Sequence, residues 1–136
     1  MTRLSVYLKT LLAKAYGMWF NLVAVFSPDT AAKLALKTFA KVRKGRVKPQ
    51  QQPFLDEAKH SLEPIGENQI QTYQWAGNGP TVLLIHGWES NSFRWRNLIQ
   101  ILREEGFHVI AFDAPAHGYS SGKIMHVPLY TECVEH

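Results

Sequence analysis

Two short stretches concentrate the residue types that do chemistry: His86-Gly87-Trp88-Glu89-Ser90, and the run from Asp113 through Pro115, His117, Gly118 and Ser120 to Gly122. Imidazoles, carboxylates and hydroxyls so close in sequence offer general acid–base and nucleophilic groups. A subtler offer comes from the main chain. A strand that turns sharply toward a helix can leave a backbone N–H pointing into a cleft, and Gly87 removes the Cβ that would obstruct such a turn. Read alone, however, His-Gly is more often merely a polar turn after a buried strand. His86, His117 and His126 have no recognised ligand spacing, so no metal is expected. Cys133 falls in an apolar helical stretch and reads as a buried thiol rather than a nucleophile.

Both stretches follow apolar runs that must be strands. Thr81–Ile85 (TVLLI) is continuously apolar after its first residue, as for a parallel strand covered on both faces, and Val109–Phe112 repeats that character. Between them, residues 93–105 carry Leu98, Ile101 and Leu102 at helical spacing and stop at Gly106. Strand, helix and strand in this length predict a right-handed βαβ unit, with both loops at the carboxyl ends of its strands, where open α/β sheets bind ligands. Ile70–Trp75 alternates as a strand with one wet face, and Leu129–His136 reads as a further helix begun after Pro128.

Taken together, a strand ending in His-Gly-X, a helix, and a strand ending in Asp followed by a Pro, His-Gly, Ser, Gly loop resemble the α/β-hydrolase family over residues 69–136. The resemblance implies that Trp88 donates one oxyanion-hole N–H through its main chain, with Gly87 and His86 shaping and orienting the loop. Asp113, Pro115, His117 and Gly118 become loop-shaping residues, and Ala116 stands where the family more often has glycine. It further implies a serine-type hydrolase of an ester or related acyl compound, without cofactor. The nucleophile elbow, acid and histidine that the family requires are missing, so the chain reads as the front part of a hydrolase, inactive alone. The implied fold is α/β: the N-terminal portion of a three-layer sandwich with an incomplete, mainly parallel sheet, preceded by a basic helical segment.

Composition agrees with a folded protein: 136 residues, 46% hydrophobic and 19% charged. One cysteine allows no internal disulfide, which points to a cytoplasmic setting. The net charge of +4 is unevenly spread, with eleven Lys/Arg against three Asp/Glu in residues 1–60 and four against eight thereafter. Residues 4–26 predict a helix apolar on most sides, its longest uncharged run too short to span a bilayer. Ser27, Pro28 and Asp29 then start a second helix running to about Lys44, with Lys33, Lys37, Lys41 and Lys44 on one stripe. The predicted organisation is a helical basic segment over 1–44, a linker and turn region over 45–68, and the partial hydrolase domain over 69–136. The alternative function is a non-catalytic module attached peripherally to an anionic membrane through those lysines. KVRKGRVK (41–48) has no folded recognition module beside it, so nucleic-acid binding is not expected.

Overall fold

The computed structural model describes residues 3–136, with side chains from Ser5 onward. Met1 and Thr2, the start of the expected N-terminal segment, lie outside the described residues. The chain divides into two compact units at the junction of Phe39 and Ala40.

The first unit is a pair of helices, α1 (Arg3–Phe26) and α2 (Pro28–Phe39). Ser27 opens α2 as expected: its Oγ accepts the Thr30 N–H at 3.4 Å, Pro28 fills the first helical position and Asp29 sits in the positively polarised first turn. Tyr16, Trp19 and Phe20 form an aromatic cluster on α1, with ring centroids 4.9–5.8 Å apart. Much of the apolar surface of α1 is exposed, including Tyr7, Leu11, Met18 and Val25. Among the described residues no helix is long and apolar enough to cross a membrane. The second helix stops five residues short of Lys44. At its end the chain becomes extended, where Ala40 accepts the Met125 N–H at 2.8 Å and Lys41 forms a β-bridge with Ile124. Lys33 and Lys37 therefore share a helix, whereas Lys41 and Lys44 lie beyond it.

The second unit is built on a mixed four-stranded sheet of order β1-β2-β4-β3. Strand β1 (Lys59–Ile65) pairs antiparallel with β2 (Asn68–Trp75), β2 antiparallel with β4 (His108–Phe112), and β4 parallel with β3 (Thr81–Ile85). Strand β1 occupies residues expected as linker and turn. Its Pro64 is tolerable because β1 is an edge strand, where a missing N–H breaks no ladder. The turn itself is only Gly66-Glu67, with Gly66 at φ 57°, suited to a glycine-first two-residue hairpin. Residues 45–53 are likewise no free linker. They continue through the short helix α3 (Gln52–Leu55), whose Leu55 is fully buried in the core.

Side-chain alternation splits the sheet into two unequal faces. Tyr73, Trp75, Leu84, Val109 and Ala111 point to one side and meet Leu55 and Ile99 in the main core. Ile65, Ile70 and Phe112 point to the other and meet Cys133 and Tyr130 of α5 (Val127–Glu135). Strand β3, expected to be covered on both faces, is covered on one: Leu84 is buried, whereas Leu83 and Ile85 are each 43% exposed. The βα crossover begins with a 3-10 turn (Ser92–Trp95) that leads into α4 (Arg96–Glu104). Its inward residues are Ile99 and, as expected, Leu102, whereas the expected Leu98 and Ile101 are exposed: Ile99 and Leu102, three residues apart, share the face turned to the sheet.

Candidate functional site

The two loops predicted to carry chemistry lie side by side beyond the carboxyl ends of the parallel strands β3 and β4, and each is held by the other. His86 is buried, with Nδ1–H donating to the Gly87 carbonyl at 2.8 Å and Nε2 accepting the Ala114 N–H at 3.0 Å. His117 mirrors it in reverse: Nδ1–H donates to the Pro115 carbonyl at 2.9 Å and Nε2 accepts the Glu89 N–H at 3.0 Å. A ring nitrogen that meets a carbonyl must carry the proton, and one that meets an N–H must be bare, so both imidazoles are neutral with fixed tautomers. Burial, the largest influence on each, pushes both titrations below the ordinary value of 6.5. Neither ring has a lone pair free for a metal or an N–H free for proton transfer. His126 stands apart, with its Nδ1 accepting the Leu129 N–H at 3.3 Å as the N-cap of α5.

Asp113 organises the second loop. Its side chain is fully buried; Oδ1 accepts the Ser92 N–H and hydroxyl, both at 2.8 Å, and Oδ2 accepts the Tyr73 hydroxyl at 2.7 Å and the Tyr119 N–H at 3.0 Å. Four donors solvate the carboxylate in place of water, and among the described residues no cation pairs with it. The Tyr73 hydroxyl is pushed well above the usual tyrosine range, first by burial and then by the Asp113 charge. Gly118 is forced at this point: its φ is 45°, and a Cβ there would lie 1.8 Å from Asp113 Oδ2. Ser120 is fully buried, donating its hydroxyl to the Asp113 carbonyl and accepting the Gln71 N–H at 2.9 Å, so it acts as a strut. Ala116 takes φ 65°, the conformation for which glycine is the usual choice.

Gly87 does not play the steric part expected of it. A Cβ there would meet nothing within 4 Å, and its φ lies outside the left-handed region. The turn is made two residues later, where Glu89 takes φ 50°. Trp88 between them is 45% exposed, its ring edge-on to His117 at 5.8 Å. Among the described residues no acceptor meets the Trp88 N–H.

Four further supports have no signal in the sequence analysis: Tyr130, Asn91, Gly45 and Arg46. Tyr130 of α5 donates its hydroxyl to the His86 carbonyl, and burial pushes that hydroxyl up to about 12. Asn91 is buried and caps the 3-10 turn by accepting the Phe93 N–H at 3.1 Å; its amide donates to the Gly45 carbonyl at 3.2 Å. Gly45 itself, at φ 98°, is wedged between the loops, and a Cβ there would lie 2.6 Å from the Ser90 carbonyl and 2.7 Å from His117 Cδ2. Arg46 then donates to the carbonyls of Gly118 at 3.2 Å and Ser120 at 2.6 Å. Glycine within a basic run signals only a helix stop, so nothing local announced this wedge.

Comparison with known proteins agrees with the architecture. The description of the α/β hydrolase fold family matches residues 80–127. A bifunctional epoxide hydrolase 2 of Sus scrofa is 44% identical over 45 residues, which are 33% of this chain and 8% of that protein. An uncharacterized hydrolase of Saccharomyces cerevisiae is 49% identical over 45 residues, 33% of this chain and 15% of that protein. The chain thus spans a small part of the curated relatives it matches. A solved lipase-like protein of Acinetobacter baumannii AYE superposes with a TM-score of 0.51 and 21% identity, covering 63% of this chain and 29% of that one, which shows the fold. Residues 80–127 thus match the α/β hydrolase fold family, and the C-terminal unit has the α/β-hydrolase fold.

Proposed function

We propose that this chain is the front part of a serine-type hydrolase acting on an ester or related acyl compound, with the Trp88 N–H as one donor of the oxyanion hole. The observation that carries the reading is that N–H: it lies in the loop after β3, lacks an acceptor among the described residues, and is held between His86 and the Glu89 turn. A donor fixed in advance needs no reorganisation when charge develops on the substrate oxygen. Nucleophile, acid and histidine then come from outside residues 1–136, and the isolated chain does not hydrolyse. The test is a serine-directed fluorophosphonate probe and an ester assay on the native protein from its source. The reading expects a labelled species longer than 136 residues. It also expects Trp88→Pro in that species to lower kcat by about 100- to 1,000-fold with KM little changed. Hydrolysis by the isolated chain, or a labelled species indifferent to Trp88→Pro, overturns it. The match to epoxide hydrolases favours an epoxide as the competing substrate class, and a parallel epoxide assay decides between them.

A second reading, peripheral attachment to an anionic membrane, draws support from the exposed apolar surface of α1 together with Lys33 and Lys37 on α2. Cosedimentation with anionic but not neutral vesicles, weakened by salt, is the expected result. Equal behaviour with both vesicle types removes it.

A further inference from the structure

The basic run Lys41–Lys48 finds no use in the proposed chemistry, yet the fold places it with care. Between residues 43–51 and residues 89–96 runs a groove of about 990 Å³. Arg43, Lys44 and Lys48 line one side and Arg94 and Arg96 the other, and Glu89 is the one carboxylate in the lining. Arg46 also lines it but spends its guanidinium on the Gly118 and Ser120 carbonyls. Six basic residues against one acid exceed the net +4 of the whole chain, so the positive charge of the protein is focused here.

Among the described residues, Arg103–Glu57 is the one ion pair, and none of the groove cations takes part in it. The two walls are held at fixed spacing. Asn91 crosses between them, donating its amide to Gly45 O at 3.2 Å, Arg46 O at 3.4 Å and Gln51 Oε1 at 3.2 Å. Arg96 lies over the Phe93 ring at 4.8 Å, which limits its swing. Six cations held together against one carboxylate, which pairs with none of them, repel, and a multiply charged anion reverses the sign of that energy. Guanidinium forks and ammonium groups facing one another across a groove suit phosphate oxygens in particular.

We infer that this groove binds a ligand bearing clustered phosphate groups, either a soluble organic phosphate or the headgroup of an anionic lipid. The inference is independent of the hydrolase reading and of membrane attachment through Lys33 and Lys37.

The test is calorimetric titration of the full chain with inorganic tripolyphosphate at about 0.15 M salt, where weak surface attraction is screened. Saturable binding is expected, weakened at least about tenfold by Arg94→Ala/Arg96→Ala and changed less than about twofold by Lys33→Ala/Lys37→Ala, which removes equal charge from α2. Lys44→Ala/Lys48→Ala on the opposite wall gives the same loss and serves if the arginine pair disturbs folding, judged by circular dichroism. Phosphatidylcholine vesicles with and without phosphatidic acid form the second arm. Binding to the acidic vesicles that tripolyphosphate reverses and the groove variants abolish assigns the headgroup, whereas tripolyphosphate binding alone assigns a soluble phosphate. Absence of binding to either probe, indifference to both groove variants, or an equal loss in the α2 control overturns the proposal.

Discussion

His117 accepts the Glu89 main-chain N–H through Nε2 at 3.0 Å, so a side chain of the second loop fixes the left-handed residue of the first. With His86 accepting the Ala114 N–H at 3.0 Å in return, the loops are cross-braced by two neutral imidazoles.

That bracing has a pH signature. Both histidines titrate below 6.5 in the folded chain, chiefly through burial, so the unfolded chain takes up protons first as the pH falls. Stability is therefore full above about pH 6.5, declines as acid is added, and stops declining from this cause once the lower folded-state values are passed. Urea midpoints measured from about pH 8 to pH 5 should fall. A constant or rising midpoint contradicts the tautomers assigned above.

Asp113→Asn keeps the shape of the side chain but turns one acceptor oxygen into a donor facing two existing donors. Hydrogen bonds to a charged acceptor contribute about 1.5–3 kcal/mol each, and a loss of roughly 3 kcal/mol or more in urea unfolding is expected. A change below about 1 kcal/mol would mean that the four contacts add little to stability.

Two glycines, one in each loop, should respond unequally to alanine. Gly118→Ala drives a Cβ to 1.8 Å from Asp113 Oδ2 at φ 45°, and a loss above about 2 kcal/mol is expected. Gly87→Ala meets open space, and its urea midpoint should correspond to a change within about 0.5 kcal/mol. Equal effects would place the turn at Gly87 after all.

Glu89 is the residue that holds the left-handed conformation in its place, at φ 50°. Glu89→Gly relieves that strain and should raise stability by about 0.5–1 kcal/mol, whereas Glu89→Val adds a β-branch and should lower it by more than 1 kcal/mol. Thermal melts of the two variants in parallel check the difference.

The strands β3 and β4 and the loops after them were readable because continuous apolar runs ending in His-Gly and Asp are local signals. Strand β1 was not, since Lys59, Glu63 and Pro64 read as solvent and turn, and only pairing with β2 makes them a strand. In α4, Leu98, Ile99, Ile101 and Leu102 are all apolar and offer two overlapping stripes; Leu102 was read correctly, but only packing on the sheet selects Ile99 over Leu98 and Ile101. In the candidate site, His86, Trp88, Asp113 and His117 were legible as residue types. Their partners Tyr73, Ser92 and Tyr130 were not, because each arrives from another element. The lysine stripe failed for a similar reason: bonds from residues 124–125 end α2 at Phe39, and no spacing rule within the helix foresees them.

The wedge at Gly45 also sets an order of assembly. Arg46 meets its partners across 72 and 74 residues, whereas β1 and β2 close through a two-residue turn. Long closures cost more entropy and come later, so the hairpin forms first and the loops after β3 and β4 stay frayed until residues 40–48 fold back over them. In native-state hydrogen exchange, the Glu89 and Gly118 amides should then open with that returning segment, at lower free energy than the sheet from which the loops emerge. Nicking the chain near Lys48 would loosen both loops from a distance while leaving every strand intact.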